Sequence, residues 1–285
     1  PSIEAASTAS LQTFVGQHAG ALDQARNALF KPCQVPLDYS ADGFGTDHLA
    51  NLRNLACLFW ADAVLAHRQS RPEDAARAGV DCVRLAEQGS QGGLLVDFLV
   101  GSAIEEIGIP QIAKCCQQLD ADACRELIAE LVKMDRSQEA VEDVLRRDRD
   151  WERIVIGWRD DFWGTVFRLA RGFDQDADLY RSIQDRRKAT MQLLITELAL
   201  QAYRLERGRH PERLDSLVPD FLDTLPIDPF AGQPLRYHLI GEGQYLLYSV
   251  GLDEADDGGQ RVTYREMIHG QGDFFLDAVV DLLDR

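Results

Sequence analysis

The sequence predicts an α+β protein that is mainly α, with a helical domain over residues 1–175 and an α+β domain over residues 176–285. Two observations support this. Up to about residue 170, apolar residues recur at the three- and four-residue steps of amphipathic helices. From about residue 235, they alternate with polar residues, as in half-buried β-strands. We therefore expect an N-terminal helical bundle or set of helical hairpins, followed by a long helix packed on a small antiparallel β-sheet.

The clearest helical pattern in the N-terminal domain predicts a hairpin of two helices. Apolar residues at helical spacing indicate the first helix over residues 49–66. Ser70 and Glu73 then match a capping box, in which each side chain accepts a backbone N–H at the start of a helix. The second helix should run over residues 71–88 and pack antiparallel to the first.

Four further helical segments are separated by short connections that carry Gly, Pro, Asp or Ser. They are predicted over residues 94–107, 112–118, 121–134 and 137–146. The size of the first hairpin and its R-P-E-D-A-A step resemble a tetratricopeptide-type α-solenoid, which would offer a surface for a protein partner. No self-similar repeat is evident, so a single helical bundle is the alternative.

An apolar stripe with several aromatic residues closes the helical domain. It comprises Trp151, Ile154, Val155, Trp158 and Phe162, with Trp163 and Phe167 beyond. Stripes of this kind are typical of a core, and we expect this one to seal the helical domain against the C-terminal domain. Docking of a partner or of lipid is the alternative.

The C-terminal domain is predicted to begin with a long helix over residues 178–207, which Gly208 ends. A short helix over 210–217 follows. The expected strands are two runs that form a β-hairpin and a third that closes a small sheet against the long helix. They lie at residues 235–239, 244–250 and 274–279.

The formal net charge of −17 argues against nucleic acid or anionic lipid as a partner. The basic run Arg186-Arg187-Lys188 lies beside Asp185 in a helical pattern, and we interpret it as a solvated helix face. No apolar run approaches the roughly 20 residues of a membrane-spanning helix. We therefore expect a soluble chain, with a membrane anchor or signal peptide upstream of Pro1 as an open possibility.

Six cysteines, all in the first half of the chain, show no C-x-x-C pair of the kind that binds zinc or performs thiol redox chemistry. We interpret them as small apolar residues of a helical core. A disulfide that involves Cys116 or Cys124 is the alternative.

The most distinctive polar feature is the segment YSVGLDEADDGG, residues 248–259. Its four clustered carboxylates repel one another unless something neutralises them, and a hard cation that takes six to eight oxygen ligands would do so. The spacing is not that of an EF-hand, because Ala255 interrupts the register. A solvated acidic turn is the alternative.

Three phrases of the C-terminal domain resemble the globular region of the major pseudopilins of type II secretion. They are ALQAYRLERGRHPERLDSLVP (199–219), LPIDPFAGQPLRY (225–237) and YLLYSVGLDEADDGG (245–259). The resemblance covers roughly the last 90 to 100 residues. The whole chain also resembles a planctomycete-like bacterial family that joins such a module to a helical domain, in which a phrase like CQVPLDYSADG (33–43) recurs.

The pseudopilin resemblance implies a Ca²⁺ site in the acidic loop. Matching the motifs places the first ligand at Asp253 and the last at Asp273, with Asp256 or Asp257 as a further ligand. An insertion over residues 260–272 separates the last ligand from the loop. A helical domain stands where a pilin has its hydrophobic assembly helix, so we do not expect the chain to polymerise.

The sequence shows no recognisable set of catalytic residues, and an enzyme is the less favoured interpretation. The six histidines are scattered, and there is no phosphate-binding glycine loop. Glu105-Glu106 and Asp160-Asp161 are the candidate buried acids for acid/base work. Pairing with arginine or exposure to water is the more ordinary role for them.

Three classes of function follow from the sequence. The first is a non-catalytic, extracytoplasmic binding or structural protein, in which a calcium-stabilised pseudopilin-like module accompanies a helical domain that binds a protein partner. The second is a metal-free cytoplasmic scaffold, which six free thiols would favour. The third is a hydrolase whose site is assembled from residues that are distant in sequence.

Overall fold

The computed structural model describes residues 3–37, 47–155, 177–241, 243–261, 266 and 271–283. Within them the chain is mainly helical and has one two-stranded antiparallel sheet, which confirms the predicted α+β, mainly α class. The helices are α1 (Thr8–Gln17), α2 (Ala19–Ala28), α3 (Asp47–Arg68), α4 (Pro72–Ser90), α5 (Leu95–Cys115), α6 (Ala121–Ser137), α7 (Val141–Val155), α8 (Ala177–Arg207) and α9 (Leu276–Leu283). The strands are β1 (Arg236–Gly241) and β2 (Gln244–Tyr248).

The predicted hairpin is formed by α3 and α4, but the predicted capping box is absent. Ser70 has a φ of 56° and its side chain does not cap α4, whose N-cap residue is Arg71. The Arg71 N–H donates to the carbonyl of Ala66 at 3.0 Å. This bond spans a left-handed residue, as in a Schellman motif. Ser70 therefore ends α3 and cannot also start α4.

Helix α5 runs without interruption through Pro110, where the sequence predicted two separate helices. A proline in a helix interior costs about 3 kcal/mol. Close packing against α4 offsets that cost. A Cβ on Gly79 would lie 2.9 Å from the carbonyl oxygen of Gly108, and one on Gly108 would lie 2.7 Å from that of Gly79. The backbones of α4 and α5 can approach this closely because both residues at the contact are glycines, which have no Cβ.

Helix α6 begins where predicted, with the Asp120 side chain accepting the Ala123 N–H at 2.8 Å. Helix α7 starts later than predicted and reaches Val155. Of the predicted apolar stripe, Trp151 is buried and Ile154 is 48% exposed. The rest of that stripe, Trp158, Phe162, Trp163 and Phe167, lies outside the described residues, as do Asp160 and Asp161.

Helix α8 matches the predicted long helix and lies at the centre of the main hydrophobic core. This core combines residues of α8, of the N-terminal helices and of the C-terminal segment. Representative members are Met191, Leu194 and Leu198 from α8, Ala76, Ile112 and Leu131 from the N-terminal helices, and Leu235, Leu247 and Phe274 from the C-terminal segment. The predicted domain boundary near residue 175 lies outside the described residues.

The β-hairpin forms as predicted, with Arg236 opposite Tyr248 and Leu239 opposite Tyr245. The predicted third strand is wrong. Only an isolated bridge joins Phe274 to Ser249, and the chain from Leu276 to Leu283 is the helix α9. The apolar residues of α9 recur at helical spacing and pack on the core. This packing outweighs their β-propensity. The predicted short helix is reduced to a 3₁₀ turn over Leu214–Leu217.

All six cysteines are free thiols, and four of them, Cys82, Cys115, Cys116 and Cys124, are buried. The alternative disulfide of Cys116 or Cys124 is therefore not formed. Burial raises the pKa of Cys115 and of Cys124 to about 11. These thiols stay protonated at neutral pH and pack as apolar residues.

One described helix, over residues 48–68 of α3, is long and apolar enough by length and composition to cross a membrane. The sequence had suggested that no segment meets this criterion. In the structure, α3 packs against α4 and α5, and Ala56, Phe59 and Ala63 are buried there.

A buried ion pair joins α5 to α8. Arg187 donates two hydrogen bonds to Oε2 of Glu105, one from Nε at 2.8 Å, and both side chains are buried. Arg187 also lies over the ring of Phe98. The neighbouring Arg186 pairs with Glu106 at 3.3 Å. The interpretation of this basic run as a solvated face is therefore wrong for Arg187, whereas the expected pairing of Glu105-Glu106 with arginine is confirmed.

We expect Glu105→Ala to lower the free energy of unfolding by about 3–5 kcal/mol, because it leaves the Arg187 charge buried without a partner. Urea unfolding measures this change. Arg207→Ala, which removes an exposed pair with Asp220, is the control and should cost less than about 1 kcal/mol. Equal effects of the two substitutions would contradict a special role for the buried pair.

Candidate functional site

The acidic loop leaves the hairpin after β2 and lies beside the segment that precedes α9. Ser249 and Phe274 exchange backbone hydrogen bonds of 2.9 and 2.8 Å. A Cβ on Gly251, whose φ is 75°, would lie 2.7 Å from the carbonyl oxygen of Gly272. Glycine is required at this position by both the close approach and the positive φ. The start of the loop is therefore held against residues 272–274 by backbone contacts.

Asp273 returns to the acidic loop despite the insertion that precedes it. Its side chain is 1% exposed and accepts the backbone N–H of Asp257 at 3.4 Å, of Gly259 at 2.8 Å and of Gln260 at 3.1 Å. Burial raises the pKa of Asp273, and these three N–H groups oppose that rise. The predicted late ligand is thus the residue around which the end of the loop is folded.

Asp253 lies against the same segment. Its Oδ2 accepts the N–H of Gly272 at 3.1 Å, and its Oδ1 accepts the N–H of Ala255 at 3.2 Å. The exposed Asp253 is thus tied to Gly272, the residue before the buried Asp273, whose own carboxylate accepts N–H groups of residues 257, 259 and 260. These hydrogen bonds join the first and last predicted ligands to the same two neighbouring segments.

Asp256 is turned toward the hairpin. Its Oδ1 accepts the Tyr248 hydroxyl at 2.9 Å, and its Oδ2 lies 3.0 Å from Nε of Arg236. The hydrogen bond from Tyr248 is the main cause of a lowered Asp256 pKa, with smaller contributions from the Gly258 N–H and Arg236. Asp257, by contrast, is exposed, and only its backbone N–H takes part in the network around Asp273.

In the described part of the chain, no group of three or more His, Cys, Asp or Glu side chains is arranged to hold a metal ion. The loop does present acceptors of the kind that Ca²⁺ binds, because Asp253, Asp257 and Asp273 are carboxylates and the glycine-rich backbone supplies carbonyls. Asp256 is already held by Tyr248 and Arg236, and both oxygens of Asp253 and of Asp273 accept backbone N–H groups. The donors are thus of the chemical type that Ca²⁺ binds, although three of the four predicted ligands already accept hydrogen bonds.

A second buried aspartate, Asp228, organises the same region and was not selected from the sequence. It is 1% exposed and accepts the Ser249 hydroxyl at 2.9 Å, the Val250 N–H at 2.9 Å and the Phe230 N–H at 3.0 Å. The signal that could have identified it is its place in the turn LPIDPFAG, where Asp commonly accepts a nearby backbone N–H. Asp228 ties this turn to the strand that leads into the acidic loop.

Glu197 and Tyr245 are a further pair that the sequence did not reveal. The Tyr245 hydroxyl donates to Oε2 of Glu197, which joins β2 to α8. The pair lines a cavity of about 280 Å³ together with Cys116 and Phe275. Burial raises the pKa of Glu197 to about 7, although the hydrogen bond from Tyr245 acts in the opposite direction.

Two contacts of histidine bear on catalysis within the described residues. His48 Nε2 lies 2.7 Å from Oδ1 of the buried Asp97. Nδ1 of His67 lies 3.9 Å from the thiol of Cys115, whose raised pKa disfavours the nucleophilic thiolate. Neither contact brings a histidine, a carboxylate and an activated nucleophile together, as nucleophilic catalysis requires.

Comparisons of the chain with protein-family models, with curated protein sequences and with solved structures found no match. The resemblance to major pseudopilins and the tetratricopeptide-like character of the helices therefore stay predictions.

We expect Asp228→Ala to lower the free energy of unfolding by at least about 2 kcal/mol, because it leaves buried N–H and O–H donors without an acceptor. Chemical denaturation measures this loss. Asp223→Ala removes an acid of the same segment that is 79% exposed, and should change stability by no more than about 0.5 kcal/mol. A neutral Asp228→Ala would show that water satisfies these donors.

We expect Glu197→Gln to change how stability depends on pH. The Glu197 pKa is raised from 4.5 to about 7, so its contribution to stability is fully present below about pH 4.5 and is lost as the pH rises through about 7. Glutamine stays neutral, and the variant should gain stability relative to the wild type over that window. Urea unfolding at several pH values tests this, and a difference that does not vary with pH would contradict it.

Proposed function

We propose that this protein is a non-catalytic binding protein. In this proposal, its helical domain contacts a protein partner and calcium stabilises its C-terminal module at the acidic loop. The observation that supports the calcium part is the pair of reciprocal ties between the acidic loop and the segment before α9, since Asp253 accepts the Gly272 N–H and Asp273 accepts N–H groups of Asp257 and Gly259. Carboxylates on two segments held side by side suit a hard cation that takes oxygen ligands.

The proposed ligands are the carboxylates of Asp253, Asp257 and Asp273, together with backbone carbonyls of the loop. Calcium would neutralise the mutual repulsion of the acidic side chains and add to the contacts between the loop and the segment before α9. Asp256 would keep its hydrogen bond from Tyr248 and its ion pair with Arg236, and so would link the loop to the hairpin. The role of the metal is structural, and no reaction step depends on it.

Calcium binding would also bear on where the protein works. Extracellular calcium modules bind at roughly 10⁻⁴ to 10⁻³ M, a range in which cytosolic calcium does not fill a site. A site of this class supports an extracytoplasmic or cell-envelope location. The pseudopilin-like module is proposed here as a stabilising unit of a binding protein, and not as a filament subunit.

A metal-free cytoplasmic scaffold is the second candidate function, and the six free thiols favour it. In that case the hydrogen-bond donors that already surround Asp273 and Asp256 would hold the acidic loop in place without a metal. The two candidates share the helical binding domain and differ in whether the metal contributes to stability.

The decisive experiment is thermal unfolding of the full chain in EDTA, in millimolar CaCl₂ and in millimolar MgCl₂. A ligand that binds only the folded state raises the unfolding temperature by mass action. We expect Ca²⁺ to raise it and Mg²⁺ to have little effect. Identical curves under the three conditions would reject the calcium site and favour the metal-free scaffold.

Two variants test whether the calcium-dependent rise in unfolding temperature arises at the acidic loop. Asp253→Ala should abolish the calcium-dependent rise, because it removes the exposed carboxylate at the mouth of the loop. Asp215→Ala, at an exposed acid that pairs with Arg213 outside the loop, should leave the rise unchanged. A wild-type response in Asp253→Ala would remove that residue from the site.

A further inference from the structure

The cavity that contains Glu197 and Tyr245 lies where the N-terminal helices meet the C-terminal segment. It has a volume of about 280 Å³ and is lined by residues of α5, α8, β2 and α9. Its walls are mainly apolar, and Leu246, Phe275 and Val280 are among them. A concave, mostly apolar pocket with a few fixed polar groups is the usual form of a small-molecule site.

The protein uses only one carboxylate oxygen of Glu197. Oε2 accepts the Tyr245 hydroxyl, while Oε1 accepts no hydrogen bond from the described residues. Glu197 lies between the buried residues Thr196 and Leu198 of α8, yet it keeps some exposed surface. Because Glu197 lines the cavity, its second oxygen is open to a ligand there.

The other charged groups of the cavity wall are already paired. Lys114 is held by Glu4 at 3.2 Å, and Arg261 forms an ion pair with Asp277. Glu197 forms no ion pair with any described residue. Two cations and three acids therefore leave this wall with a net negative charge, and the unpaired acid is Glu197.

The surroundings of Glu197 favour a positive charge beside it. Burial and, to a smaller extent, the neighbouring Asp277 raise its pKa to about 7. The hydrogen bond from Tyr245 opposes this rise, and no cation among the described residues lowers the Glu197 pKa. An acid that is kept from water and lies near a second acid is stabilised in its ionised form by a cation that binds next to it.

An organic cation fits this wall better than a metal ion. Ca²⁺ takes six to eight oxygen ligands, whereas apolar side chains make up most of the wall. An ammonium group donates hydrogen bonds to single acceptors, and the carbon skeleton attached to it can pack on apolar side chains. A cavity of about 150 Å³ binds benzene, so one of about 280 Å³ has room for an aromatic ring with a short alkylammonium chain.

We propose that this cavity binds a small organic amine with an apolar body. The ammonium group donates to Oε1 of Glu197, and the apolar body packs against Leu246, Phe275 and Val280. This inference goes beyond the function proposed above and is independent of it. The cavity contains none of the proposed calcium ligands, and the experiments that test it are carried out in EDTA.

Isothermal titration calorimetry of the full chain tests the proposal with three probes of similar shape. They are phenethylamine, which is cationic, phenethyl alcohol, which is neutral, and phenylacetate, which is anionic. We expect phenethylamine to bind about tenfold or more tightly than phenethyl alcohol, because hydrogen bonds to charged groups contribute more than those between neutral groups. No binding of phenethylamine at millimolar concentration, or equal or tighter binding of either other probe, would overturn the proposal.

Glu197→Gln removes the negative charge with little change in shape and should weaken phenethylamine binding by about tenfold or more. Binding of phenethyl alcohol should change much less. Glu212→Gln, at an exposed glutamate outside the cavity, is the matched control and should bind phenethylamine like the wild type. Circular dichroism and thermal unfolding establish that both variants are folded. Equal affinity of Glu197→Gln and the wild type for phenethylamine would place the amine elsewhere and reject this site.

The pH dependence of binding is a second measurement, and it can be made on the wild type alone. Glu197 ionises around pH 7, whereas an alkylammonium group with a pKa near that of lysine, about 10.4, stays charged there. The affinity for phenethylamine should therefore rise as the pH is raised from about 6 to about 8, and Glu197→Gln should lose this dependence. An affinity that falls or stays constant over this range would contradict pairing with Glu197.

The other titratable groups around Glu197 do not account for such a change. They are Lys114, Cys116, Tyr237, Tyr245, Arg261 and Asp277. Burial raises the pKa of the two tyrosines and of the thiol, so these three groups stay protonated over that range. The remaining three are held in ion pairs.

Discussion

Most residues of helix α8 between Arg187 and Ala202 are buried, and a helix with so wide a buried surface must be packed against on most sides. This constraint determines how the rest of the chain is arranged. Helices α5 and α6 pack on α8, and so do the 3₁₀ turn over Leu214–Leu217 and α9. The Tyr245 hydroxyl joins the hairpin to it through Glu197. The N-terminal helices and the C-terminal segment share one hydrophobic core because α8 needs both of them.

The C-terminal segment has only one two-stranded hairpin, so the backbone N–H groups of the loops around it need acceptors outside the sheet. Buried carboxylates supply those acceptors. Asp228 accepts the donors of the turn before β1 and of the residues that leave β2, and Asp273 accepts three N–H groups of the acidic loop. Asp253, Asp256 and Asp257 are exposed. The carboxylates of the region therefore hold its loops together, since the buried ones accept backbone N–H groups and the exposed Asp253 and Asp256 also accept hydrogen bonds.

Most of the wrong predictions from the sequence concern residues whose local conformational preference is outweighed by a tertiary contact. Pro110 was expected to break a helix, but α5 continues through it beside the close approach of Gly79 and Gly108. Ser70 fitted an N-cap but was needed in a left-handed conformation to end α3. Arg187 belonged to a basic run that looked solvated, yet Glu105 supplies a buried partner from a helix some eighty residues away.

The sequence by itself determined the class of the fold, the long helix, the hairpin and the acidic loop, because periodicity and turn residues act over a few neighbouring positions. It also marked Asp253 and Asp273 as belonging together, but only through resemblance. The tertiary structure decided that Asp273 is buried and reaches the loop across the insertion, that Asp228 anchors the same region, and that residues of α5, α8, β2 and α9 line one cavity. These features depend on contacts between residues distant in sequence, and no local pattern specifies which distant groups will satisfy a buried carboxylate or line a shared surface.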